Sequence, residues 1–193
     1  MSLKLKVVVV GDANTGKSSL LSRYLFNKFN EDYHFTVGID FHSKYIETSN
    51  GEQERFRALL PSYLRDCAVV LLVYDITNQK TFDSVNFWLD YVRKRTQPET
   101  QLILVGAKAD LKNQRKLSNT PVNDLCKKAG ILHYEVSAKT GQNLDELFQQ
   151  IARLAETLAI ENDRDRASTI IQLADDTSAK NQEDLEKKKK CNC

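Results

Sequence analysis

The sequence predicts an α/β fold, a mostly parallel sheet with helices on both faces. Two observations predict it. Short apolar, β-branched runs of strand length alternate with longer segments whose apolar residues recur every three and four positions. The first run also ends in a glycine-containing turn that passes straight into the first helical pattern. Lys4 to Val10 is that run, and Cys67 to Tyr74, Gln101 to Val105 and Ile131 to Val136 are the other runs of strand character. Helical spacing marks Ser18 to Phe26, Phe82 to Val92, Val122 to Lys128 and Leu144 to Leu158, with Asn143 or a neighbour placed to cap the last.

The bulk of the chain narrows the function classes. A length of 193 residues suits one globular domain with a tail. A hydrophobic share of 41% and a charged share of 28% exclude a collagenous or wholly disordered chain. The net charge is +2 and no basic block precedes the C-terminus, so nucleic acid is not an expected partner. The opening MSLKLKVVVVGD holds too short an apolar run for a signal peptide, and Cys67 to Tyr74 falls far below the roughly 18 residues of a membrane span. A cytosolic chain is the expectation. Cys67 and Cys126 read as small buried apolar residues rather than as disulfide partners. From Glu161 the periodicity fades into a charged, polar stretch, which divides the chain into a domain over 1–160 and a flexible tail over 161–193, with Ile170, Ile171 and Leu173 as a short docking element.

The turn after the first strand carries the strongest chemistry. VVVVGDANTGKSSLL sets Gly11, Asp12, Ala13, Asn14, Thr15, Gly16, Lys17, Ser18 and Ser19 between a strand and a helix, the spelling and context of a phosphate-binding loop. Glycines let the backbone wrap around phosphates, and successive amides with the helix N-terminus offer positive potential. Lys17 is placed to reach the terminal phosphates and the Ser18 hydroxyl to ligate magnesium. The bland alternative, a glycine turn with an incidental lysine, has to explain spelling and context separately.

Beyond this loop the chain resembles the Ras superfamily, and within it the Rab GTPases, over nearly its whole length. FTVGIDF, from Phe35 to Phe41, resembles the Rab first switch, and QERFRALLPSYLRD, from Gln53 to Asp66, the second switch and its helix. VYDIT, from Val73 to Thr77, is similar to the following strand end, AKAD, from Ala107 to Asp110, stands where the family has Asn-Lys-x-Asp, and SAK covers Ser137, Ala138 and Lys139. The PSYLRD spelling is similar to the Golgi-associated Rab-six subgroup.

The resemblance implies a phosphate-loop NTPase G domain that binds GTP or GDP with Mg2+. It places Phe29 against the base, Thr36 on magnesium beside Ser18, and Gln53 as the catalytic residue that orients water. Lys108, Asp110, Ser137, Ala138 and Lys139 become the base-recognition set. The chemistry agrees at Asp110, because a carboxylate accepts two hydrogen bonds from guanine that adenine cannot supply. Implied partners are an exchange factor, a GTPase activator, effectors, a prenylation escort and a GDP-dissociation inhibitor. The implied role is a GTP-binding switch in vesicle traffic. Two rivals are a nucleotide-binding adaptor with negligible hydrolysis and an ATP-using kinase; the second conflicts with Asp110 and SAK and lacks a phosphate-acceptor lid.

Departures from the family qualify these expectations. Ala107 replaces the asparagine that ties its loop to the phosphate loop, which predicts weaker binding or faster exchange. HSKYIETSNGE runs directly into QERFR, so on the order of ten residues, about one strand and its turn, are missing relative to the family. One of the family's six strands is therefore expected to be lacking, together with the Asp-x-x-Gly element that serves magnesium and the γ-phosphate. SKYIETS must then pair with the first strand or leave an exposed edge, and marginal stability follows. Asp75, closing the apolar strand VVLLVYD, fits a magnesium-side carboxylate in the general phosphate-loop pattern, whereas the resemblance gives it no metal role. Ala13 stands where Rabs commonly carry a small polar residue, a mild change.

At the C-terminus, Lys187 to Lys190 followed by Cys191, Asn192 and Cys193 resembles the Rab signal for geranylgeranylation of both cysteines. Two lipid chains, or one with a basic patch, anchor a protein stably where one chain does not, and each lysine adds about 1 kcal/mol at an anionic surface. The implied location is the cytosolic face of endomembranes, Golgi or vesicles, with a cytosolic pool. A charged terminus with incidental thiols is the alternative.

Overall fold

A computed structural model describes residues 5–30, 45–47, 53–55, 64–154 and 157, with 45–47 and 53–55 described through their backbone alone. The chain divides into compact units Met1–Ala155 and Glu156–Cys193. The expected tail, with Ile170, Ile171, Leu173, Cys191 and Cys193, lies outside the described residues, as do Thr36 and the rest of the first switch.

Four strands, β1 (Val7–Val10), β4 (Val69–Asp75), β5 (Gln101–Ala107) and β6 (Leu132–Glu135), form a fully parallel sheet in the order β1-β4-β5-β6. The runs of β1, β4 and β5 are nearly continuously apolar because both their faces are covered, as parallel sheets require, whereas the edge strand β6, LHYE, is mixed and partly exposed. The alternation of side chains sorts them cleanly. Val7, Val9, Val69, Leu71, Val73, Ile103 and Val105 face one way, packing against Leu20 of helix α1 (Lys17–Phe26) and Leu144, Leu147, Phe148 and Ile151 of helix α5 (144–154). Val8, Val10, Val70, Leu72, Tyr74 and Leu104 face the other way, against Phe82, Val85, Leu89 and Val92 from helices α2 (Gln79–Asp83) and α3 (Val85–Arg93) and Val122 and Cys126 of helix α4 (Asn119–Ala129). The predicted α/β architecture is thus the observed one. Cys67 and Cys126 are buried free thiols, and burial raises both pKa values above the ordinary thiol value.

Several boundaries need correction. Phe82 to Val92 is two helices rather than one: Asn78 accepts the Lys80 amide at 3.2 Å and starts α2 early, and Ser84 ends α2 while opening α3. Asn143 does not cap α5 through its side chain, which donates to the Glu135 carbonyl at 2.8 Å, and its φ of 58° is left-handed. Among the described residues, SKYIETS does not pair with β1. Its central residues form β2 (Tyr45–Glu47), antiparallel to β3 (Gln53–Arg55), so Ile46 lies opposite Glu54 and Glu47 opposite Gln53. The four-residue strand β1 has one partner, β4, among the described residues.

Candidate functional site

Loops at the C-terminal ends of β1, β4, β5 and β6 gather the candidate residues, where parallel α/β sheets place their ligands. The loop after β1 can exist only with glycine at its start. Gly11 has φ 143°, and a Cβ there would lie 2.1 Å from the Val73 carbonyl oxygen of the neighbouring strand. Asn14 and Gly16 are also left-handed, at φ 63° and 94°, and they curl the chain back onto α1. Thr15, fully buried, closes the curl by donating its hydroxyl to the Asp12 carbonyl at 3.0 Å.

Helix α1 starts at Lys17, and Gly16 before it has no side chain to cap it. Lys17, the first helical residue, turns back so that Nζ donates to the carbonyls of Gly11 at 2.9 Å and Asp12 at 2.5 Å. Burial lowers the Lys17 pKa, and the Asp12 carboxylate partly offsets this. Glycine cradle, uncapped helix start and partly desolvated ammonium together match a polyphosphate. Ser18, exposed on the next residue, and half-buried Ser19 follow on the same helix turn, while Ala13 and Asn14 are exposed on the loop.

The β5 and β6 loops form a second locus. Lys108 takes φ 64°, and its Nζ lies 2.6 Å from Oδ2 of Asp75 at the end of β4. Oδ1 of Asp75 accepts the Thr77 amide at 2.8 Å and the Thr77 hydroxyl at 2.7 Å. Asp75 is 4% exposed, and both its oxygens are engaged within the protein, as the anchor of Lys108. The Ser137 hydroxyl donates to Oδ1 of Asp110 at 2.6 Å, and Ser137 Oγ in turn accepts the Thr140 amide at 3.1 Å. Asp110 is thereby held through one oxygen, with no partner on the second among the described residues, beside half-buried Ala138 and exposed Lys139. Ala107 joins the two loci: a Cβ on Gly16 would sit 3.8 Å from the Ala107 methyl. Half-buried Phe29 lies just beyond α1.

Gln53 is the first residue of β3, its backbone opposite Glu47. Asn50 and Gly51 lie outside the described residues.

One residue escaped the sequence reading. Trp88 of α3 counted there only as an apolar helical position, yet its indole N–H donates to Oδ1 of Asp12 at 2.8 Å and ties α3 to the phosphate loop. An indole N–H on a core-facing helix needs a partner, which was the signal available. Along β4 and β6, Tyr74, His133, Glu135 and Arg115 make a polar cluster: the Tyr74 hydroxyl and His133 Nε2 are 3.0 Å apart, and Arg115 donates twice to Glu135. Against this geometry stands a sequence match: the model of the Ras family matches residues 6–157.

Proposed function

Because this chain belongs to the Ras family, whose members are small GTP-binding switches, we propose that it is a Rab-type switch acting in vesicle traffic on the cytosolic face of endomembranes. The cradle formed by Gly11, Gly16 and Lys17 carries the nucleotide part of this reading, since left-handed glycines curl the backbone ahead of a helix start without a side-chain cap and Lys17 turns its ammonium back onto the loop. Lys17 would exchange the loop carbonyls for phosphate oxygens, Asp110 would accept from guanine, and Ser137 would hold Asp110 in place. Ser18 and Thr36 would hold Mg2+, which supplies charge neutralisation across the phosphates. The Rab assignment rests on FTVGIDF, VYDIT and the Cys191-Asn192-Cys193 terminus.

A second reading, an adaptor that binds nucleotide with negligible turnover, is favoured by one observation. Gln53 belongs to a strand that pairs with Glu47, and nothing in the sequence restores the Asp-x-x-Gly element beside it.

Magnesium-dependent binding of fluorescent GDP and GTP, with ATP as competitor, tests the nucleotide reading. Guanine-specific binding lost in Lys17→Ala is the expected result, and retained affinity in that variant would refute the loop assignment. Phosphate release from the same sample separates switch from adaptor. Prenyl mass on the C-terminal peptide of cell-derived protein tests the anchor, and its absence would remove the Rab-type membrane attachment.

A further inference from the structure

A second surface lies on α3 and α4 and has no part in the nucleotide site just described. A groove of about 740 Å³ runs between these helices, with Phe87 and Tyr91 on one side and Leu125 and Ala129 on the other. Phe87 is 63% exposed, and among the described residues its ring meets other rings of α3, edge-on to Trp88 at 5.6 Å and tilted to Tyr91 at 6.0 Å. An aromatic ring left in water beside two others is costly for an isolated surface and typical of a contact anchor.

The rim is strongly one-signed. Arg93, Lys94, Arg95 and Lys128 line it against a single carboxylate, Asp90, which is engaged by Lys94 at 3.3 Å. Arg93 donates to the Ala129 carbonyl, and Arg95 lies 3.7 Å over the Tyr91 ring while donating to the Tyr91 carbonyl. These contacts hold the guanidiniums in position without neutralising them. Basic residues near helix C-termini are common, but that preference accounts neither for the exposed Phe87 nor for arginines fixed around a concave apolar floor.

We propose that the α3–α4 groove is a docking site for an acidic peptide segment of a partner protein, anchored by an apolar side chain against Phe87, Tyr91 and Leu125 and flanked by carboxylates that meet Arg95 and Lys128. Aromatic residues and arginine dominate such contacts, and complementary charge speeds encounter. A concave floor favours a peptide over a membrane surface, which presents no anchor to fill it.

Selection of a random phage-displayed peptide library on the full-length protein tests the proposal, followed by anisotropy titration of the enriched peptides. Expected peptides carry Asp or Glu around Leu, Phe or Trp and bind more weakly at high salt. Phe87→Ala and Arg95→Glu should each weaken them about tenfold or more, and Lys128→Glu should restore binding to peptides whose acids are replaced by Lys. Matching thermal melts for variants and wild type establish that the fold is intact. Enrichment of peptides without acids, or affinities unchanged by Phe87→Ala and Arg95→Glu, would overturn it. So would phosphatidylserine vesicles that bind through these residues while no peptide does.

Discussion

At position 107 a methyl group faces the phosphate loop, close enough that a Cβ on Gly16 would touch it. An asparagine there is long enough to bond the loop, and each neutral bond contributes about 0.5–1.5 kcal/mol. Ala107→Asn should therefore lower the GDP dissociation constant by about two- to tenfold, and titration with fluorescent GDP checks it; an unchanged constant would mean the two loops do not communicate through this site. Asp75 offers a contrasting test. Its oxygens bind Thr77 and Lys108, so Asp75→Asn should loosen Lys108 and weaken guanine binding while leaving the dependence on magnesium concentration unshifted. A shifted magnesium dependence would revive the metal-side reading. The loop spelling from Gly11 to Ser18 was legible because only glycine fits beside Val73, a constraint that sequence carries openly. The partner of Asp75 was not, since an aspartate closing a strand looks the same whether it meets a metal or a lysine thirty-odd residues away.

Among the elements, β6 carries a titratable residue in an unusual setting. Burial lowers the His133 pKa from the ordinary 6.5, with Arg115 acting in the same direction and Glu135 against it. Above pH 6.5 the ring is neutral folded or unfolded and contributes no pH dependence. Below it the unfolded chain takes up a proton that the folded chain resists, so stability falls as pH drops from about 6.5. His133→Gln keeps an acceptor for Tyr74 and removes the titration. As pH drops below about 6.5 the urea midpoint of wild type should fall relative to that of His133→Gln, and parallel profiles would show that the ring is not desolvated. The strands and α1 were readable as runs because both sheet faces are apolar. The break at Ser84 and the β2–β3 pair were not, because local capping by Asn78 and pairing between two three-residue strands leave no periodic trace.

For the molecule as a whole, β1 has a sheet partner on one side only among the described residues, and the phosphate loop hangs from its end. Nucleotide joining the loops after β1, β5 and β6 should stiffen the domain measurably. At a free concentration one hundred times Kd a ligand adds about 2.7 kcal/mol, which for a domain of this size raises Tm by roughly 5–10 °C. Differential scanning with and without GDP and magnesium reads this, and an immobile melt would mean that the pocket does not bind. A similar shift from ATP would contradict the guanine assignment of Asp110. The chain also holds a single tryptophan, and that residue is the one bonded to Asp12. Its emission therefore comes from one place, beside the phosphate cradle, so filling the cradle should change the colour or yield of the intrinsic fluorescence, and the protein needs no attached dye to signal its own occupancy.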